Sequence, residues 1–274
     1  MPDSIHMVGK IGSMALIRRE DKDIDYNIFS RLCNQLKPGM VWVSSGATEI
    51  GRLDYLNRNG AELAGDEEEV KSDYSAQGQN ILMENYRKFI NPKYSVRQLL
   101  VEHTHFNDTK KREHIRKFLH RCPTQNAVPI INYNDPVSYV ENHRREISLL
   151  KNGGSAPVEC LDNDETASVI CSLVNAPVLL ILTSVYGIYS QANDPKTLVE
   201  EIVASDAQGL KERVIALQKS CIGTSRQGSN GAFAKLEYVM NPAINGTRVL
   251  IAHAKYNIND ILEGRVPSTR IEII

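Results

Sequence analysis

The sequence predicts an α/β fold, a three-layer αβα sandwich around a mainly parallel sheet. Three observations carry this. Short apolar runs such as Met40–Ser45 and Val178–Thr183 alternate with longer stretches whose apolar residues recur at helical spacing. Those runs are apolar up to their polar last one or two residues, as strands covered on both faces must be. Polar or small-residue clusters stand at the carboxyl ends of the runs (Lys10 to Ser13, Ser44 to Ala47, Asn132 to Asp135, Thr183 and Ser184), which is where open parallel sheets bind ligands.

In chain order, Ile5–Ile17 reads as a strand broken at Lys10 and Gly12. A helix follows from Tyr26 to Leu36 and stops before Pro38 and Gly39. Gly46 and Ala47 turn the strand Met40–Ser45 directly into a helix from Thr48. A long helix spans Glu67–Phe89, followed by a strand (Tyr94–Val101), a charged helix (Asp108–His120) and the strand Val128–Asn132. Residues 141–158, charged and then rich in Gly and Ser, read as an exposed excursion. Asp162 opens a helix running to Asn175, and Val178–Thr183 is a buried strand. The strand Arg248–Ala252, a short helix and the terminal run Thr269–Ile273 complete the chain. With no repeat or linker in view, residues 1–274 read as one domain.

Composition narrows the function classes. Hydrophobic residues are 42% and charged residues 24%, an ordinary globular balance that excludes wholesale disorder. A net charge of −1 gives no bulk electrostatic attraction to nucleic acid or to an anionic membrane, so neither is an expected partner. No signal peptide or apolar span is apparent, and a cytoplasmic location is expected. The scattered cysteines (Cys33, Cys122, Cys160, Cys171, Cys221) read as reduced core fillers. His103 and His105 stand at strand spacing without a third ligand, so no protein metal site is expected.

The stretch Gly228-Ser-Asn-Gly-Ala-Phe-Ala-Lys235 follows a Ser/Gly/Gln-rich run and leads into helical spacing. Small residues at a helix start leave backbone N–H groups free at the positive end of the dipole, which suits a phosphate. Lys235 would add a cation one turn in. By itself the stretch reads equally well as an ordinary surface loop, and it lacks the Walker A order. Other clusters carry structural readings too. Ser44 and Ser45 fit a helix cap, Asn134-Asp135-Pro136 fits a turn, and Asp162 and Asp164 fit acidic first-turn residues.

Read in order, the clusters resemble the amino acid kinase family, with the glutamate kinases its nearest branch. Lys10-Ile-Gly-Ser is similar to K-[IL]-G-[ST], and Val43-Ser-Ser-Gly-Ala47 to V-[ST]-S-G-A. Ser75-Ala-Gln-Gly-Gln79 resembles A-A-V-G-Q, Val128–Val137 resembles I-P-I-I-N-E-N-D-x-V, and Leu161-Asp-Asn-Asp164 resembles G-D-N-D. Leu182–Tyr189 is similar to L-T-D-x-x-G-L-Y, with Asn193-Asp-Pro195 after it, and Gly228–Lys235 stands where the family has G-T-G-G-M-x-T-K.

The resemblance implies a carbamate kinase-like fold and ATP-dependent phosphorylation of the γ-carboxylate of L-glutamate, the first step of proline biosynthesis. It also implies Mg2+ held mainly by ATP oxygens. Lys10 and Lys235 would neutralise charge on the transferring group, and Asp164 would hold both lysines. Gly12, Thr183, Ser184, Gly228, Ser229, Asn230 and Gly231 would surround the nucleotide, with the amides of Gly12, Gly46 and Gly231 donating to phosphate oxygens. Ser45, Gly46, Ala47, Asn134, Asp135 and Asn163 would bind the acceptor, Asp135 taking its α-amino group and the Asn163 amide its carboxylate. A homo-oligomer is expected, as is the absence of the RNA-modification-type C-terminal domain of many glutamate kinases.

Some positions depart from the pattern. Ser184 replaces the acid of L-T-D, Tyr133 replaces the glutamate of N-E-N-D, and Asn230, Ala232 and Ala234 alter the phosphate loop. Two alternatives stay open on these grounds: a different carboxylate or phosphate acceptor, and a nucleotide- or amino-acid-binding regulator without catalysis.

Overall fold

Alternation along the central strands shows how the layers form. In the run Val178–Thr183, Leu179 and Ile181 join one buried apolar cluster while Leu180 and Leu182 join another. Side chains two apart on a strand share a face, so the two clusters lie on opposite faces of one sheet. The computed structural model, which describes residues 4–18, 20–138, 140–152, 157–160, 162–191, 194–220 and 231–274, places helices over both faces.

The elements run β1 (Met7–Ile11), β2 (Ile17–Arg18), β3 (Asp23–Ile24), α1 (Tyr26–Cys33), β4 (Met40–Ser44), α2 (Ala47–Asn59) and α3 (Glu67–Phe89). They continue with β5 (Ser95–Val101), α4 (His103–Asn107), α5 (Thr109–Arg121), β6 (Ala127–Tyr133), α6 (Val140–Asn152), α7 (Asn163–Val174) and β7 (Val178–Thr183). The last are β8 (Glu201–Ala204), α8 (Ala207–Ser220), α9 (Gly231–Ile244), β9 (Arg248–His253), α10 (Ile258–Leu262) and β10 (Ser268–Ile273). Eight strands make the sheet in the order β5-β6-β4-β1-β7-β9-β10-β8. Every pairing is parallel except β10 against β9. β2 and β3 form a separate antiparallel pair.

One face is covered by α5, α7, α8 and α9 through Ile115 and Leu119, Ala167 and Ile170, Leu210 and Val214, and Leu236 and Val239. The other is covered by α1, α2, α3 and α10 through Phe29 and Leu32, Ala47 and Ile50, Leu82 and Tyr86, and Ile258 and Ile261. Each buried leucine or isoleucine contributes roughly 1.5–3 kcal/mol of transfer free energy. The layering is therefore fixed by the strands' period of two and the helices' amphipathic stripes.

Local signals set the helix starts. The Asp25 carboxylate accepts from the Ile28 N–H at 3.0 Å, and the Asp66 carboxylate accepts from Glu68 and Glu69 N–H, satisfying first-turn donors. Glu67, Glu68 and Glu69 at the start of α3 and Arg87 and Lys88 at its end complement the helix dipole.

Helices α2 and α3 meet unusually closely. A Cβ on Gly51 would lie 1.8 Å from the Tyr74 carbonyl oxygen, and one on Gly78 would lie 1.8 Å from that of Ala47. Only hydrogen fits at either point.

The excursion differs from its expected form. Most of its described part belongs to the 13-residue helix α6, which starts one residue earlier at Val140 and has Ile147 buried. Charged residues mask its single apolar stripe in the sequence. His103 and His105, expected at strand spacing, lie instead on the short helix α4. His103 Nε2 contacts Glu146 at 2.7 Å, and His143 Nε2 contacts the Glu159 carbonyl oxygen at 2.6 Å, tying α6 down to its neighbours. Among the described residues, no helix is long and apolar enough to cross a membrane, and no cluster of three His, Cys, Asp or Glu side chains could hold a metal.

Candidate active site

Because β4, β1 and β7 run parallel, their carboxyl ends open on one edge of the sheet. Lys10, the fourth residue of β1, pairs in register with Val43 on one side and Ile181 on the other. It is only 7% exposed. A buried ammonium requires a counter-charge, and Asp164 supplies it. Asp162 caps α7 by accepting from the N–H groups of Asp164 and Glu165 at 2.7 and 3.0 Å. This leaves Asp164 free of the capping role and turned into the site. Its Oδ1 lies 2.6 Å from Lys10 Nζ and its Oδ2 lies 2.6 Å from Lys235 Nζ.

Lys235, in the second turn of α9, approaches the same carboxylate from the far side. Burial pushes the Asp164 carboxyl up, but the attraction and hydrogen bonds of Lys10 and Lys235 outweigh it and hold the group far below the usual carboxylate range. Burial lowers the Lys235 ammonium, and the pull of Asp164 more than offsets this, leaving it raised. Asp164 is thus held as the anion and Lys235 as the cation, a set of fixed charges in a largely buried setting. A cation is worth far more there than in water for neutralising an anion.

Around the triad, the described residues modify several sequence expectations. The Gly12 N–H donates to the Leu182 carbonyl oxygen at 3.0 Å, extending the ladder between β1 and β7. That donor is therefore spent, contrary to the expectation that it faces phosphate. The Thr183 hydroxyl is closed within its own turn, donating to Val185 O and accepting from Val185 N–H, both at 2.9 Å. Ser184 is exposed beside it. Gly231 is the first residue of α9, with φ +49°. Gly228, Ser229 and Asn230 lie outside the described residues, as do Cys221, Leu161 and Asn193.

The acceptor candidates gather beside the triad. Ser45 does not cap α2. Its N–H donates to Ile11 O at 3.1 Å, and its hydroxyl oxygen accepts from Asn163 Nδ2 at 3.2 Å. Gly46, at φ +108°, makes the sharp turn into α2, a conformation that glycine adopts without the Cβ penalty. Ala47 is buried as the first residue of α2, beneath Gly78.

Asp135 opens a short 3-10 turn after β6 and receives Ser75 Oγ at 3.4 Å and Lys71 Nζ at 3.6 Å. Burial pushes its carboxyl up, with Lys71 and Ser75 acting against that shift. Asn134 turns away from Asp135, and its Nδ2 donates to Glu102 Oε1 at 2.9 Å. Tyr133 bonds the Ser138 hydroxyl at 2.8 Å, and burial pushes its phenol up to about 12.

The sequence pattern alone gives no role to Gln79, Ser75, Lys71, Asn132 or Glu102. Lys71, Ser75 and Gln79 sit four apart on α3, and such spacing aligns side chains on one helix face. Beside Gly78, that polar stripe was the available signal.

Comparison with known proteins agrees with this geometry. The profile of the amino acid kinase family matches residues 7–253. A glutamate 5-kinase from Thermoanaerobacter sp. (strain X514) is 28% identical over 268 residues, covering 95% of this chain and 66% of that protein. The chain thus spans about two thirds of that relative's length. A glutamate 5-kinase from Alkaliphilus metalliredigens (strain QYMF) is 27% identical over 274 residues, covering 96% of this chain and 94% of its own. The carbamate kinase from Giardia lamblia, solved bound to AMP-PNP, superposes with a TM-score of 0.60 at 15% identity over 100% of both chains. With an eight-stranded, mostly parallel sheet between two helical layers and a family match over most of its length, the chain belongs to the amino acid kinase family and has that family's fold.

Proposed function

We propose that the protein transfers the γ-phosphoryl group of ATP to the γ-carboxylate of L-glutamate, giving glutamyl 5-phosphate and ADP, the first step of proline biosynthesis. The carrying observation is the single buried carboxylate of Asp164 gripping Lys10 and Lys235 at 2.6 Å each. A γ-carboxylate oxygen attacks the γ-phosphorus, and the bond to the ADP oxygen breaks. Charge then spreads over the transferring group, and little covalent work is left for the protein. Lys10 and Lys235 neutralise that charge from two sides, and Asp164 keeps them from drifting before the substrates arrive.

The first-turn amides of α9, from Gly231 onward, have no carbonyl partner within the helix itself and would offer further donors to phosphate oxygens. Asp164 spends both oxygens on lysines, so Mg2+ fits here as an ion carried by ATP oxygens and water, its usual mode at phosphate sites. Asp135 binds the α-amino group and the Ser45 hydroxyl binds the acceptor's carboxylate end; Asn163, whose amide nitrogen already donates to Asn132 and Ser45, acts through Ser45 and not by donating to that carboxylate itself. The relatives named glutamate 5-kinase support this choice of acceptor. A cytoplasmic homo-oligomer remains part of the proposal.

Purified protein with Mg-ATP and L-glutamate should form an acyl phosphate that hydroxylamine traps as the hydroxamate. No hydroxamate above the level of a Lys10→Ala control would refute the assignment. One observation favours a second acceptor reading: where the glutamate kinases carry a glutamate, Tyr133 places a neutral phenol bonded to Ser138. An ADP-release screen over other carboxylates and phosphates distinguishes the two, and turnover confined to L-glutamate removes the second.

A further inference from the structure

The Ser75–Gln79 motif carries no role in the reading above, yet it ends in a hydrogen-bonded chain of amides whose polarity can be worked out. The starting point is a backbone N–H, which can only donate. The Tyr133 N–H donates to Asn132 Oδ1 at 2.9 Å, fixing which end of that amide is oxygen. Asn132 Nδ2 therefore points the other way and donates to Gln79 Oε1 at 2.8 Å. Asn132 Oδ1 takes a second bond from Asn163 Nδ2 at 2.9 Å, so Asn163 must offer its nitrogen there. The same nitrogen reaches Ser45 Oγ at 3.2 Å. As an acceptor from Asn163, the Ser45 hydroxyl keeps its own proton to donate.

Gln79 and Asn132 are 7% and 2% exposed. Reversing any amide in the chain would set oxygen against oxygen or nitrogen against nitrogen where water cannot compensate. Gln79 is held in place by the Gly51–Gly78 contact, which presses α3 onto α2 with no room for a Cβ. Its Nε2 is buried and has no partner among the described residues, so its contribution to the chain is its oxygen.

We infer that Gln79 is a positioning residue for the acceptor. Through Asn132 it sets the orientation of Asn163, and through Asn163 it presents the Ser45 hydroxyl as a hydrogen-bond donor to an anionic group of the acceptor. Ser75, one turn earlier on the same stripe, steadies Asp135 in the same manner. The kinetic part of this inference rests on the acceptor reading above, and the spectroscopic part does not.

The test compares wild type, Gln79→Met and Gln79→Glu in the full chain. Glutamate at this buried position keeps an oxygen acceptor, as a neutral acid if burial demands it, whereas methionine has none. With saturating Mg-ATP and varied L-glutamate, Gln79→Met should raise KM for L-glutamate about tenfold, the scale of one lost buried hydrogen bond. KM for ATP should stay within about twofold, and Gln79→Glu should recover most of the loss.

The side-chain amide resonances of Asn132 and Asn163 should move in Gln79→Met and return toward wild type in Gln79→Glu. An unchanged KM in Gln79→Met, equal rises for both substrates, or a Gln79→Glu variant no better than Gln79→Met would overturn the inference. If wild type does not phosphorylate L-glutamate, the acceptor reading fails. The relay then stands or falls on the resonances, and unmoved Asn132 and Asn163 amides in Gln79→Met would end it. Should Gln79→Met not fold, the shorter Gln79→Asn is read against the same expectations.

Discussion

The two halves of the site are built from opposite materials. On the side proposed for the phosphates stands a charged triad of Lys10, Asp164 and Lys235, closed by two ion pairs of 2.6 Å. On the side proposed for the acceptor stand neutral amides and a hydroxyl, Gln79, Asn132, Asn163 and Ser45, with Asp135 at the margin. Charge suits the first task because phosphoryl transfer is governed by neutralisation, which needs strength more than direction. Amides suit the second because a relay has polarity, and polarity discriminates among acceptors by what is left unpaired when the wrong one binds. Substitutions in the two halves should therefore fail differently.

The largest effect is expected at Asp164, where the charges depend on each other. Asp164→Asn deprives the buried Lys10 of its ion-pair partner, and removing one partner of a buried pair costs about 3–5 kcal/mol. Urea unfolding should show that loss. Next comes Lys235→Ala, which should lower kcat by a factor on the order of 10²–10³ while folding is retained, because the charge acts mainly on the transition state. Single-turnover phosphoryl transfer measures this without interference from product release.

On the acceptor side, Gly78→Ala places a methyl group against the Ala47 carbonyl oxygen. It should cost about 1–3 kcal/mol by overpacking and raise the acceptor KM as α3 shifts off the relay. Thermal unfolding together with kinetics would register both changes.

The smallest effects concern pH. Burial raises the Asp135 pKa, so this group loses its charge on acidification before an ordinary aspartate does. An acid whose folded pKa is raised costs stability once pH exceeds its unfolded value. Asp135→Asn should therefore leave thermal stability unchanged or slightly higher at neutral pH. Its acceptor KM should be raised and lose the acid-side dependence seen in wild type. Asp164 has the opposite sign. Its depressed pKa gives stability that is complete above the unfolded value of about 4 and lost as pH falls through the folded one.

The sequence makes the charged half legible because its residues sit at strand ends or in a helix's opening turns, where chemistry interrupts an apolar pattern. Lys10 breaks an apolar strand, Asp164 follows a cap, and Lys235 follows a small-residue run. Topology then brings all three to one edge. The acceptor half is less visible because its support comes from a long-range helix contact. Nothing local in Gly51 or Gly78 announces that they face each other, and Gln79 looks like any polar helix residue until that contact buries it.

Residues 199–220 drew no assignment, although β8 and α8 form there, because β8 has only four residues and pairs with the distant β10. Helix α6 was hidden by its charges. The Gly12 amide shows a different limit: its position was legible, but its use by the sheet ladder was not.

The division of labour is tested most directly by measuring kcat and the L-glutamate KM for Lys235→Ala and Asp135→Asn side by side at saturating Mg-ATP. The account predicts a fall in kcat with an acceptor KM within about threefold of wild type for Lys235→Ala. For Asp135→Asn it predicts an acceptor KM raised about tenfold or more with kcat near wild type, the scale of a lost charge-assisted hydrogen bond. If both substitutions moved the same parameter, the two halves would not be separable and the account would be contradicted.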